Sequence, residues 1–571
     1  MKSFCQSLVL VLTFVIFSGC SGSTNQVDEG AGSKLTKAEI ADRNMRIRDN
    51  ALDILQPQKL GISTGNVSAI QQLNDWITTY DSSEEDASAL TDQSKEILEK
   101  YLTSEEAKEL MSMRFVLRDG LHIRDCYLYK KMGEKIQKKT DNRLEQVVAL
   151  FYYVTRLVEL DFPASSPFPM TPQEVLMSGS GSAQDRAVIF AGILRQLKID
   201  SILIQPASKN SKNKKTQTTK SSPVLMGVLI QGKVYLFDMQ LGLPIPALGD
   251  VTTVLPQNPA TLADVLRQDE ILRQLDVNKK MPYPLKAKDF QSLQIKIVIN
   301  NRFWSVANFR LHFSLAGDHS AIVYSSLEDS ESGDGIISRI MKFAKKRWKQ
   351  EDISVWKYPE QQYERREKRD PKQEELRFGF LTTPVKLTLK FEQVNPNQQR
   401  SPSKKTEVLH MLGMREENKI KRYRMRQVLG DPDIAIRGYQ QIRLKTRRYL
   451  DNLESYVQTA VKKKIRISKE IQDAAMLTKN KNGRAHNAVI FWTVICQIEQ
   501  EEYQIVTKII RGSGGLSRQF ILAFSYAKSG KLAAASQYFK NIPLQNPYWR
   551  TGQLVQKRCR ILRKNAKSSV K

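Results

Sequence analysis

Residues 181–187 read Gly-Ser-Ala-Gln-Asp-Arg-Ala and open an apolar helix that runs to about Lys198. Val188, Ile189, Phe190, Ile193, Leu194 and Leu197 recur within it at helical spacing. Asp200 to Gln205 follows as a strand-like run. A polar tract of Lys, Asn, Ser and Thr fills Ser208 to Ser222 and reads as a solvated loop. Val224 to Ile230 and Lys233 to Phe237 flank the turn pair Gln231-Gly232, which predicts a β-hairpin ended by Asp238. A helix, a strand and a hairpin in this order constrain the segment to an α+β core.

The motif and this order resemble the core of the transglutaminase-like superfamily, whose helix begins Gly-x-Cys-x-Asp/Glu-x-Ala. Gly181, Asp185 and Ala187 fit, and Ala183 stands in the Cys slot. The resemblance implies a papain/transglutaminase-like α+β unit over 141–287. It also implies three cooperating groups. A Cys at the helix N-terminus has its pKa lowered by the dipole, a His on a neighbouring strand relays the proton, and an Asp orients that His. Carried across, the Cys position is Ala183, the His position is Pro223 and the Asp position is Asp238. No His stands between 200 and 250. Ser182 is displaced from the Ala183 direction by about 100° of helix rotation and would also lack a base. The expectation is a degenerate scaffold with no catalytic residue and no cofactor. In an unrelated α+β core, Asp185 and Arg186 would be ordinary helix-start charges.

A second cluster, Arg118-Asp119-Gly120-Leu121-His122-Ile123-Arg124-Asp125-Cys126, packs His, Cys and four charges into nine residues. His122 with Cys126 is the alternative constellation for a hydrolase or acyltransferase. Two ligands are too few for a tight metal site, so no metal is assigned. The plain reading is a turn at Asp119-Gly120 with Arg–Asp pairs tying the N-terminal helices to the core. His312, His319, His410 and His486 are scattered, and no phosphate-cradling or zinc-protease motif appears.

At the N-terminus, Lys2 precedes a short apolar run, Leu8 to Phe17, and then Ser18-Gly19-Cys20. The run is too short for a mature membrane span. This end resembles a bacterial lipobox, with Phe17 where Leu is usual. The resemblance implies a signal peptide over 1–19, lipidation of Cys20 and a flexible tether over 20–36. The product would be an exported lipoprotein held on a membrane, on the periplasmic or outer-membrane side. Secretion with cleavage near Gly22 is the other reading. Cys126, Cys496 and Cys559 lie far apart and suggest neither a zinc site nor a disulfide framework.

A chain of 571 residues is long enough for several domains. Periodicity predicts a helical region over 37–140 and β alternation over 289–330 and 376–393. The Val385, Leu387, Leu389, Phe391 stripe is the clearest part of it. A charged connector, Lys345 to Lys372, is expected to be an exposed helix or disordered, within a β-containing region 288–400. Residues 401–571 read as helical. Within them a repeat at an offset of about 29 maps Trp492…Tyr503 onto Ile521…Leu532 and resembles a tetratricopeptide helical hairpin. The net charge of +29 favours anionic partners. Export makes nucleic acid an unsuitable partner and favours an anionic envelope polymer, an envelope protein or the membrane itself. The expected role is binding or scaffolding. A structural protein attached electrostatically to anionic envelope polymers is a further alternative.

Overall fold

The computed structural model describes residues 36–59, 63–78, 96, 98–138, 140–161, 168–206, 223–327, 335–344, 348–383, 385–393, 407–415, 419–463, 467, 469–510 and 516–568. Cys20, the tether as far as Leu35, and the Ser208–Ser222 tract fall outside them.

The helix Ala183–Gln196 starts where the motif predicts, because Ser182 caps it. Three antiparallel strands follow: β3 (Ser201–Pro206), β4 (Leu225–Ile230) and β5 (Lys233–Asp238), numbered after the short parallel pair β1 (Glu159–Leu160) and β2 (Ser180–Gly181). Ile230 pairs with Lys233 and Leu225 with Asp238, so the hairpin closes on Gln231-Gly232. Both turn residues have positive φ, which Gly232 tolerates without a Cβ penalty. With β6 (Leu243–Pro244), β7 (Leu293–Ile297) and β8 (Ile353–Val355) the sheet has six strands in the order β6-β5-β4-β3-β7-β8.

The helices Arg143–Leu157 and Ala183–Gln196 lie on this sheet. Phe151, Phe190 and Phe237 form a three-ring cluster with centroids 5.1–5.7 Å apart, where both helices meet β5. The fold is an α+β core flanked by helical regions. One apolar core of buried residues runs from Ala51 to Cys559, so the flanking helices pack onto the sheet-bearing unit.

The structure differs from the sequence reading at five places. Asp119-Gly120 is not a turn: both lie in the helix Leu117–Gln137. Asp119 accepts the Val116 N–H at 2.8 Å, which serves the helix start, and a Cβ on Gly120 would come 3.1 Å from Ile70. Among the described residues of the β region 289–330, only β7 is strand. Asn300 caps a short helical turn, and Val306–Ser314 is an α-helix. β7 pairs with β3 (Ile202 opposite Ile297), so the core sheet extends past residue 287. The charged stretch folds as two helices, Tyr358–Glu367 and Pro371–Phe378. Gln362 and Tyr363 are buried in the first, and Arg369 between them pairs with Glu174 at 2.9 Å. Finally, residues 407–415 are not helical. They form β10 (Glu407–Arg415), antiparallel to β9 (Val385–Gln393), and the helices resume at Lys419.

From there two 31-residue helices, Pro432–Lys462 and Lys469–Glu499, pack against each other. Trp492, Ile495 and Ile498 are buried, as are Ile521, Phe524 and Ala527 at the repeat offset. The C-terminal helices are joined to the core by buried Arg424. Its guanidinium donates to the carbonyls of Leu176 and Leu157, both at 2.8 Å, and lies 4.7 Å from the Trp492 ring centroid. Gly179 sits directly beneath it with φ +74°, and a Cβ there would come 2.7 Å from the Trp492 indole nitrogen. Among the described residues, no helix is long and apolar enough to cross a membrane.

Candidate functional site

The N-terminus of the Ala183–Gln196 helix is a closed hydrogen-bond unit. The Asp185 amide donates to Ser182 Oγ at 3.1 Å, and Asp185 Oδ2 accepts from the Ser182 amide and hydroxyl, both at 2.8 Å. This reciprocal box explains the acidic position of the motif without chemistry. Gly181 permits it, since a Cβ there would stand 3.0 Å from Asp185 Oδ2. Tyr358, from the downstream helix, donates to Asp185 Oδ1 at 2.9 Å and touches Ser182 Oγ at 3.0 Å. Ala183 itself is 2% exposed.

The β4–β5 register places Pro223 beside residue 240, since the Met239 amide donates to the Val224 carbonyl at 2.9 Å. Pro223 and Asp238 therefore share one end of the hairpin. Arg186, one turn into the helix, donates to the Met239 carbonyl at 3.1 Å and brings the helix start to the same place. Arg186 thus ties the helix that carries Ala183 to the hairpin end that carries Pro223 and Asp238. Asp238 is buried and already satisfied. Its Oδ1 accepts the Gln240 and Leu241 amides at 2.8 Å, and its Oδ2 accepts the Tyr283 hydroxyl at 2.7 Å. Burial raises its carboxyl above the ordinary range. Residues 130–218 match the family model of the transglutaminase-like superfamily. This segment is a transglutaminase-like domain. A search of curated proteins finds no match, and a search of solved structures finds none.

The matched segment ends before the hairpin, so Pro223 and Asp238 lie just beyond it. Around the transglutaminase-like domain, sequence reasoning misses the aromatic hydroxyls that occupy the site. Tyr283 holds Asp238 and Tyr358 holds Asp185. Tyr548, from the C-terminal region, accepts from Arg186 at 3.0 Å and from the Leu160 amide at 2.7 Å. Arg186 also donates to the Val158 and Thr155 carbonyls, at 2.6 and 3.0 Å, so it is a clamp between elements.

His122 and Cys126 do meet, one helical turn apart. His122 Nε2 lies 2.8 Å from the Val323 carbonyl, which assigns the proton to that nitrogen. Nδ1 then accepts from Asn300 Nδ2 at 3.3 Å. Cys126 Sγ is 3.8 and 3.7 Å from the two nitrogens, near-equal distances that put it off the lone-pair axis of Nδ1. Burial lowers the His122 pKa to about 3 and pushes the Cys126 thiol well above its ordinary value. A neutral thiol beside an imidazole whose lone pair is engaged is a poor nucleophile pair. The charges of this cluster tie it to downstream elements: Asp119 pairs with Arg302 at 2.7 Å, and Arg118 pairs with Glu360. The remaining thiols, Cys496 and Cys559, are buried and unbridged. Among the described residues, no group of three or more His, Cys, Asp or Glu side chains is placed to hold a metal ion.

The C-terminal helix Trp549–Ser568 is rich in Lys and Arg, and part of that charge is spent internally. Arg558 donates to the Thr253 carbonyl at 3.0 Å, Arg550 to the Met281 carbonyl at 3.0 Å and Lys557 to the Asp276 carbonyl. Arg560, Arg563, Lys564 and Lys567 are exposed.

Proposed function

We propose that the transglutaminase-like domain is a binding or scaffolding unit that has lost its family's acyl-transfer chemistry, carried by an exported envelope lipoprotein anchored through Cys20. The observation that supports this best is the set of groups at the three motif positions. Ala183 cannot attack a carbonyl, Pro223 cannot relay a proton, and Asp238 is committed to Tyr283 and two amides. The helices from Lys419 onward, read as a tetratricopeptide-like module, give the surface on which a protein partner would dock. A small cavity in the seam between the core and these helices, lined by Arg186, Tyr548 and Phe524, is the place for a partner side chain.

The purified chain is expected to show no amide, ester or amine-transfer turnover, and Ala183→Cys alone should not create any, because no imidazole is in place. Turnover that disappears in Cys126→Ala would overturn this reading in favour of the His122/Cys126 constellation. Cys20→Ala should move the protein from the membrane to the soluble fraction. Two anchoring signals are needed for stable attachment, and removing the acyl chains takes away about 0.8 kcal/mol per buried methylene. Unchanged membrane association of that variant would refute the anchor.

A further inference from the structure

A second internal space lies against a different face of the Ala183–Gln196 helix, the stripe Asp185, Val188, Gly192 and Arg195. It is a small cavity bounded also by the helices Leu117–Gln137 and Tyr358–Glu367 and by the segment after β7. It is narrow, with room for a few waters or one small molecule.

Its wall is polar in an unusual way. The Tyr129 hydroxyl and the Gln362 Oε1 are both buried without a hydrogen-bond partner, in side chains 6% and 4% exposed. An unmet buried polar group is costly, so two at one cavity point to something that satisfies them. The position of Tyr129 is built in: a Cβ on Gly192 would come 2.4 Å from its ring, so only glycine lets the tyrosine lie across the helix.

The third group is a cation. Arg195 donates to the Val298 carbonyl at 2.6 Å and lies 4.7 Å from the Phe303 ring centroid. Among the described residues it has no carboxylate within ion-pair distance. Burial lowers its pKa to about 10, so it stays charged at neutral pH. The guanidinium is half-buried at the cavity wall, with Asp200 acting on it only at longer range, and an anion in the cavity would be its direct partner. Asp125 lines the same space but holds the Tyr363 hydroxyl at 3.2 Å, and burial pushes its pKa up to about 7. Tyr129 and Arg195 are near enough for each to influence the other's ionisation.

We propose that this cavity binds a small carboxylate of hydroxy-acid size, its carboxylate on Arg195 and the Tyr129 hydroxyl, and its own hydroxyl donating to Gln362. The site uses none of Ala183, Pro223 or Asp238, so its failure would leave the loss of catalysis standing.

The test is calorimetric titration of the full-length protein with glycolate, lactate and the uncharged lactamide. Glycolate and lactate should bind saturably and lactamide should not. Tyr129→Phe removes a hydroxyl that has no partner in the protein. It should weaken carboxylate binding about tenfold or more, the loss expected for one hydrogen bond to a charge. It should not lower the unfolding temperature of the ligand-free chain. Gln362→Glu, which adds an anionic group to the wall, should abolish binding. If the cavity holds water only, no carboxylate binds, and the proposal is overturned. It is equally overturned if the carboxylates bind with the same affinity to Tyr129→Phe, or if lactamide binds as well as lactate.

Discussion

Asp119→Ala is expected to lower the unfolding free energy by about 3–5 kcal/mol, the range for breaking one partner out of a buried ion pair. Asp119 is fully buried and meets Arg302 with both oxygens, at 2.8 and 2.7 Å. It also accepts Asn308 Nδ2 and the Val116 amide, both at 2.8 Å. Alanine would leave the Arg302 guanidinium, 3% exposed, with Glu109 as its remaining carboxylate. The loss should appear as a lowered urea midpoint and as faster hydrogen exchange in the Val306–Ser314 helix. A chain of this size need not unfold in one step, so the local exchange is the sharper readout. Asp119→Leu combined with Arg302→Met should recover part of the loss, because most of the cost is the abandoned charge. A change below about 1 kcal/mol in the single variant would mean that the pair does not hold the helix Leu117–Gln137 to the downstream segment.

The same pair shows where sequence reasoning stops. Asp-Gly is a turn signal by local chemistry, yet Asp119 is drawn into a helix by Arg302, 183 residues away. Features set by local periodicity or turn chemistry were legible: the Ala183–Gln196 helix, β3, and the hairpin on Gln231-Gly232. The identity of Ala183, Pro223 and Asp238 was legible too, because each occupies a motif position. Their surroundings were not. Tyr283, Tyr358 and Tyr548 reach the site across 45, 173 and 362 residues. No local pattern marks such contacts. The Lys345–Lys372 stretch reads as solvated from its charge alone. It folds because Tyr363 finds Asp125 and Arg369 finds Glu174. Arginine is the common agent in these long contacts. Arg186 and Arg424 are buried on backbone carbonyls and join elements far apart in sequence. Some of the +29 charge is therefore internal glue, and only the exposed remainder, such as Arg560 to Lys567, is available to an anionic surface.

Asp125→Asn is expected to make the protein lose more stability than the unmodified chain on acidification from about pH 6.5 to 4, the difference growing by about 1.4 kcal/mol per pH unit. The two residues responsible sit one turn apart in the helix Leu117–Gln137. Burial depresses the His122 pKa from 6.5 to about 3, with Arg302 and Arg195 adding to the depression. The unfolded chain therefore binds the extra proton between those values, and stability contributed by neutral His122 is lost as pH falls. Burial raises the Asp125 pKa from 3.8 to about 7, with Glu174 acting in the same direction and Arg124 and the Tyr363 hydroxyl against it. Here the folded chain binds the extra proton, and stability is lost as pH rises toward 7. Across about pH 4 to 6.5 the two contributions have opposite sign and similar size, so they largely cancel. Asparagine at 125 keeps an acceptor for Tyr363 and removes only the titration, which leaves His122 uncompensated and amounts to about 3 kcal/mol over the window. His122→Asn should give the mirror image, with stability falling as pH rises. Urea midpoints of the three proteins between pH 4 and 7.5 would decide it, since every other titrating group contributes equally to each. Parallel profiles would show that neither side chain titrates out of its ordinary range.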